Sequence, residues 1–184
     1  MTALTRAPEN TNYLQASKFL LTIDRIPNVQ YFCQEVNLPG IHIDVAIINT
    51  PLLDFQSPGT KIRYNPFVIT FNVNEDVSNW KEMHNWFMSI ASPVGFQQRK
   101  DLRENLSKRT TDRLYSDITL TILSNLNNPL VRVHFTDAFP ISLTDVNFDT
   151  KISSDTIITA SATFNYDYFT FENPWHRNIT YVIM

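Results

Sequence analysis

Four histidines and one cysteine are the side chains best suited to metal, acid-base or nucleophilic chemistry in this sequence, and their spacing decides what they could do. His42, His84, His134 and His176 are scattered over separate segments. None has a second ligand type at the separation a metal site uses, so they read as satisfied or exposed structural histidines. Cys33 follows Tyr31 in an alternating apolar run, where a thiol behaves as a small hydrophobe and its thiolate is disfavoured. A single cysteine also excludes an internal disulfide and a multi-cysteine metal centre. With three glycines in the whole chain there is no Gly-rich phosphate loop, and neither a nucleophile elbow nor a nucleotide fingerprint occurs. Asn105 and Asn178 stand in Asn-x-Ser and Asn-x-Thr triplets, a pattern that arises often by chance. These residues point to no catalysis and no cofactor, and they favour an interaction or structural role.

The chain that must position them has 184 residues, 43% hydrophobic and 12% aromatic, enough for one domain with a real core, or one domain with long arms. Charged residues make up 18% with a net charge of -3, which fits neither a basic nucleic-acid binder nor a charge-rich disordered chain. The longest apolar runs, Val45 to Ile48 and Tyr181 to Met184, are four residues, far short of the roughly 20 that span a bilayer as a helix. The first ten residues lack the apolar core of a secretory signal, so folding inside a cell is expected.

Residues 1–16 read as an N-terminal arm, 17–172 as the domain and 173–184, after the Asn173-Pro174 breaker, as a C-terminal arm. Period-two alternation predicts a hairpin from Phe19, Leu21, Ile23 and Val29, Tyr31, Cys33, with its turn at 26–28. A third strand follows over Ile41 to Ile47. Residues 49–65, with Pro51, Pro58 and Gly59, read as a long loop tipped by Leu52, Leu53 and Phe55. Two readings stand for that tip: a staple folded back on its own domain, or a contact arm for another subunit. Phe67 to Val73 makes a fourth strand. Asp76 caps a helix with a stripe of Trp80, Met83, Phe87 and Ile90, which is core packing rather than a cofactor box. Residues 97–113 hold six basic and three acidic side chains, net +3 against -6 for the remainder: a solvated face, or a docking surface for another copy. A second hairpin joins Ile118, Leu120, Ile122 to Val131, Val133, Phe135. A bulge is expected near Thr144 and Asp145, and one strand runs from Ile158 to Tyr168. The expected fold is mainly β: an antiparallel β-sandwich or open barrel of about eight strands with one covering α-helix.

Particular residues carry a family likeness. Tyr31-Phe32-Cys33-Gln34-Glu35-Val36-Asn37-Leu38-Pro39-Gly40-Ile41, the strand ending Phe71-Asn72-Val73-Asn74-Glu75-Asp76 before a helix with Trp86, Phe139-Pro140, Val146-Asn147-Phe148-Asp149 and the closing Tyr166-Asp167-Tyr168 together resemble tail tube proteins of contractile-tailed bacteriophages. The same family includes the tubes of type VI secretion machines. The resemblance spans roughly residues 17 to 170 and implies a structural virion protein whose hexameric rings stack into a tube that conducts DNA. It also implies a tail sheath protein and baseplate and neck ring proteins as partners, with DNA passing the lumen without specific binding. It implies no membrane partner and a location in the virion tail, with assembly in the host cytoplasm. The lengths of the basic segment and of the C-terminal arm leave open a baseplate tube-initiating ring or a neck tube-terminating ring of the same fold. A monomeric β-sandwich binding module of a virion is the rival from another class.

Within that frame the expected inter-subunit contacts are Leu52, Leu53, Phe55, Arg99, Lys100, Arg103 and Trp175. A channel that passes DNA must not hold it, and phosphate affinity comes mainly from Lys and Arg. The expected lumen residues are therefore the neutral or acidic His42, Asp44, Asp117, Thr119 and Thr121. The basic residues 99, 100, 103, 108 and 109 are expected outside the channel or between rings.

Overall fold

A computed structural model of the chain describes residues 11–91, 93, 95–97, 100, 114–151 and 156–173. In chain order they form β1 (Phe19–Ile23), α1 (Pro27–Tyr31), β2 (Cys33–Val36), β3 (Ile41–Ile48), β4 (Phe55–Tyr64), β5 (Phe67–Asn72), α2 (Ser78–Ile90), β6 (Ser116–Leu123), β7 (Pro129–Leu143), β8 (Thr159–Asn165) and β9 (Tyr168–Glu172). Seven strands make one antiparallel sheet in the order β1-β6-β7-β8-β5-β2, with β9 also on β7. β3 and β4 stand apart as a two-stranded ribbon. The mainly β, antiparallel class with one main helix is as expected, and the sheet does not close into a barrel.

β7 divides this sheet into two halves. Over Arg132–Thr136 it pairs with β9 while β6 lies along it, and over Phe139–Leu143 it pairs with β8. Asp137 between them has φ 55, a left-handed conformation that aspartate tolerates better than most residues. It also shifts the alternation. Val133 and Phe135 are buried before it and Ala138 and Pro140 after it, so one strand turns its apolar side to the core in both halves. The irregularity expected at Thr144 and Asp145 is therefore earlier, at Asp137 and again between Pro140 and Ser142.

The core is built from alternate residues of these strands: Leu21 and Ile23, Phe67, Ile69 and Phe71, Ile118 and Leu120, Ala160, Ala162 and Phe164. Phe67 packs on Phe135 at 4.6 Å between ring centroids, and Trp86 on Phe164 at 5.7 Å. α2 lies against this cluster through Asn79, Met83, Trp86 and Ser89. Trp86, outside the expected stripe, is its most buried aromatic, while Trp80, Phe87 and Ile90 pack at the margin. The helix entry is held by polar side chains. Asn79 Oδ1 accepts the Trp80 N-H at 2.8 Å, Asn79 Nδ2 donates to the Asn72 carbonyl at 2.7 Å, and Asp76 accepts the Ser78 N-H at 3.2 Å. That last bond holds the Asp76 carboxyl below its usual range.

Three expected segments differ. The first hairpin does not form: Pro27 sits in the first turn of α1, where its missing N-H costs nothing. β1 pairs with β6 and β2 with β5. The loop expected over 49–65 is mostly strand, because β3 and β4 pair from Ile48 with Phe55 to Ile41 with Tyr64. The strand expected from Ile158 to Tyr168 breaks at Tyr166 and Asp167, so its end becomes β9 in the other half of the sheet.

If Asp137 is the corner of β7, a β-branched residue there must be strained. Asp137→Val should be less stable than Asp137→Gly by about 1–2 kcal/mol, the cost of a left-handed conformation for a residue with a β-carbon. Urea unfolding of the two variants measures the difference.

Candidate functional site

The ribbon of β3 and β4 presents apolar side chains that, among the described residues, nothing covers. Ile41, Ile43, Val45 and Ile47 lie on one face with Ile62 and Tyr64, and all but Tyr64 are exposed. On the other face Arg63 pairs with Asp44 at 2.8 Å. Opposite Asp44 the register shifts, with Ile43 facing Ile62 and Val45 facing Pro58. Gly59 fills that bulge: a β-carbon there would lie 2.2 Å from the Asp44 carbonyl oxygen, so only glycine fits. The turn is closed by the Thr50 hydroxyl, which donates to the Leu53 carbonyl and accepts the Leu53 N-H. Leu52 projects at 99% exposure, and Leu53 and Phe55 are also exposed. Against the staple reading, none of the three packs on the described residues of the domain.

At the ribbon's base the Asn65 N-H donates to Gly40 and the Tyr166 hydroxyl donates to the Asn65 carbonyl at 2.9 Å. Burial, reinforced by nearby Tyr64, pushes the Tyr166 hydroxyl up to about 12, so it remains a donor throughout the ordinary pH range.

The half-sheet β1-β6-β7-β9 offers a second surface, its outward face. Register aligns Leu20, Thr121, Arg132 and Glu172 in one row and Thr22, Thr119, His134 and Thr170 in the next. Thr119 Oγ1 lies 3.1 Å from His134 Nδ1, and Glu172 Oε2 lies 3.0 Å from His134 Nε2 and 3.7 Å from Arg132 Nη1. The hydrogen bond from His134, with further help from Arg132, holds the Glu172 carboxyl below its usual range. Asp117 is exposed on this face, Thr119 half-buried and Thr121 buried between its cross-strand neighbours. His42 and Asp44 are exposed on the ribbon instead, so the expected lumen residues fall on two separate sheets. Alternation alone could have marked Arg132, His134 and Thr170 as outward, since they flank buried Val133, Phe135 and Phe169, whereas Glu172, beyond exposed Phe171, is brought to them only by strand pairing.

A third feature is the pair of edge strands of this half-sheet, unpaired on their outer sides among the described residues. The Lys18 carbonyl accepts the Leu123 N-H, and the antiparallel alternation that follows turns the backbone groups of Phe19, Leu21 and Ile23 away from β6. The Ile23 N-H is taken by Gln30 Oε1 at 2.9 Å, which leaves Phe19 and Leu21 facing a trough of about 540 Å³ lined by Pro27, Gln30, Tyr31 and Cys33. At the opposite side of the half-sheet β9 pairs with β7 alone.

Cys33 is half-buried, packed against the margin of the core and lining that trough. Burial pushes its thiol up to about 11, partly offset by the Glu35 carbonyl. His84 stacks on Trp80, with 5.7 Å between the rings. Among the described residues no three His, Cys, Asp or Glu gather to hold a metal ion. Lys100 is exposed. Arg99, Arg103, Lys108, Arg109, Trp175 and His176 lie outside the described residues, as do residues 1–10 and 174–184 of the expected arms.

A model of the family described as phage tail tube protein matches residues 6–172. The chain is 27% identical over 168 residues to the tail tube terminator protein of Enterobacteria phage T4, covering 88% of this chain and 90% of that one. Its fold is similar to a chain of the anti-feeding prophage baseplate, 6-fold symmetrised (TM-score 0.58, 14% identity, 91% of this chain and 100% of that one). It is likewise similar to the tube-terminating cap of the anti-feeding prophage (TM-score 0.56, 18% identity, 94% and 99%).

The Cys33 thiol should be slow to react in the folded protein. A shift from 9.0 to about 11 lowers the thiolate fraction at pH 8 on the order of a hundredfold, so native labelling should be slower than denatured labelling by about that factor. Because the folded chain binds this proton more tightly, its contribution to stability is present below pH 9 and is lost as pH rises through 11. Equal labelling rates in urea and in buffer would contradict this assignment.

Proposed function

The chain belongs to the phage tail tube protein family, a structural, non-enzymatic family of the virion tail, and from that premise we propose that it forms the ring that terminates the tube rather than the repeating subunit. The observation that carries this reading is the 27% identity to the T4 tail tube terminator over nearly the full length of both chains.

The geometry supports a ring. The half-sheet has four antiparallel strands, so β1 and β9 at its edges run in opposite directions. A rotation about an axis roughly along the strands then brings the β9 of one copy beside the β1 of the next in antiparallel register, a head-to-tail contact that repeats until it closes. Six copies with four strands each, spaced ~4.8 Å apart, make a wall roughly 115 Å around and about 37 Å across before strand tilt widens it. DNA fits inside such a wall. The outward face of the half-sheet, including Asp117, Thr119 and Thr121, would line it, and DNA would pass without specific binding.

The apolar ribbon with Leu52, Leu53 and Phe55 would reach along the axis to the last ring of the tube. Lys100 and the basic segment, the arm with Trp175, and the polar ribbon face with His42 and Asp44 would meet neighbouring copies, the sheath or the neck. Assembly would take place in the host cytoplasm.

Negative-stain microscopy tests this directly. The purified protein should form rings without stacking into tubes, and added to growing tubes of the phage's tube subunit it should stop their elongation. Long tubes from this protein alone would make it the repeating subunit instead. Replacing Leu52, Leu53 and Phe55 together with Ser should leave the chain folded by circular dichroism while abolishing attachment to tube ends. A folded triple variant that still caps tubes would remove the ribbon from the contact.

A further inference from the structure

One cation stands on the wall that is meant not to hold DNA. In β1, β6, β7 and β9 the only Lys or Arg is Arg132, and it points to the outward face from between half-buried Val131 and buried Val133, beside Thr121 and opposite Glu172. Repeated around a ring it would set a girdle of guanidinium groups in the channel, and a guanidinium is the side chain best shaped to grip a phosphate. The same carboxylate oxygen of Glu172 lies 3.7 Å from Arg132 Nη1 and 3.0 Å from His134 Nε2. The Arg132 and Glu172 side chains are 44% and 55% exposed, and a pair this open contributes little to stability. Its effect is on what the surface presents to a passing polyanion.

We propose that Glu172 is a built-in counter-ion on the channel wall, held in place by His134 and occupying Arg132 so that its guanidinium is not offered to the DNA backbone. The inference rests on the ring reading above, and it makes Glu172 a masking residue whose exposed side-chain pairs add little to stability. The other titratable groups of these four strands, Asp117, Asp137 and Tyr168, bring no positive charge, so with Glu172 ionised the strands carry no unpaired cation.

The test uses assembled rings and a fluorescent DNA duplex as probe. Glu172→Gln keeps the shape of the side chain and removes its charge. E172Q rings should retain the duplex at least about tenfold more tightly than the natural protein at low salt, and the gain should vanish as salt rises, because it comes from released counterions. The double variant R132Q/E172Q should return to the original level. A gain that survives in the double variant, or that ignores salt, would overturn the proposal by removing Arg132 as its source. If E172Q does not assemble, the exchanged pair R132E/E172R keeps both charges, and its rings should hold DNA no better than the natural ones; tighter retention there counts against masking. Electron cryomicroscopy of the same rings separates the two levels of the argument. If this face lies outside the channel, the ring reading and the inference fail together. If the face lines the channel and E172Q holds no more DNA, the inference alone fails.

Discussion

Asp137 is the residue on which the arrangement depends. A β-strand alternates its side chains with period two, so a single strand can serve two packed half-sheets only if that alternation is reset where it passes from one to the other. The left-handed backbone at Asp137 makes this reset. Upstream, β7 meets β6 and β9; downstream it meets β8, which leads through β5 to β2. The core ring stack of Phe67, Phe135 and Phe164 forms across that corner, and α2 places Trp86 on it. Arg25 then covers Trp86 at 5.0 Å from the ring centroid and donates to Ser89 at 3.1 Å, fastening the turn after β1 to the helix.

A second constraint is the distribution of apolar surface. The seven-stranded sheet and α2 bury one apolar face against each other, whereas the ribbon leaves Ile41, Ile43, Val45 and Ile47 open along its whole length. An isolated two-stranded ribbon has little stability of its own in water, and among the described residues this one is anchored at its base through Asn65, Gly40, Tyr166 and the contact of Tyr64 with Phe169. The domain and the ribbon thus follow different rules: one is complete by itself, the other has the chemistry of an interface.

The strands whose apolar positions alternate cleanly were legible in the sequence: β3, β5, β6, the first part of β7, and β8. What misled was alternation without a sheet. Val29, Tyr31 and Cys33 keep period two, yet Pro27 starts a helical turn that buries Val29 and leaves Tyr31 at 82% exposure. Pro58 and Gly59 read as loop residues because a glycine and a proline usually interrupt a strand; here they form the bulge that lets β4 continue past Asp44. The outward row of Arg132, His134 and Glu172 depends on which strands are neighbours, and pairing between β7 and β9 across 38 residues leaves no local signal. Polar positions on β6 were visible from its own pattern, but the burial of Thr121 comes from the strands on either side.

The ribbon's independence also bears on how the molecule exchanges hydrogen with water. The amides of β5 and β8 sit in a sheet whose opening requires the aromatic core to come apart, so their exchange reports global unfolding. Those of β3 and β4 are held by one ladder and a few bonds at its base, and can open while everything else stays shut. Two clocks therefore run in one chain, and the faster one is wound by whatever covers the ribbon.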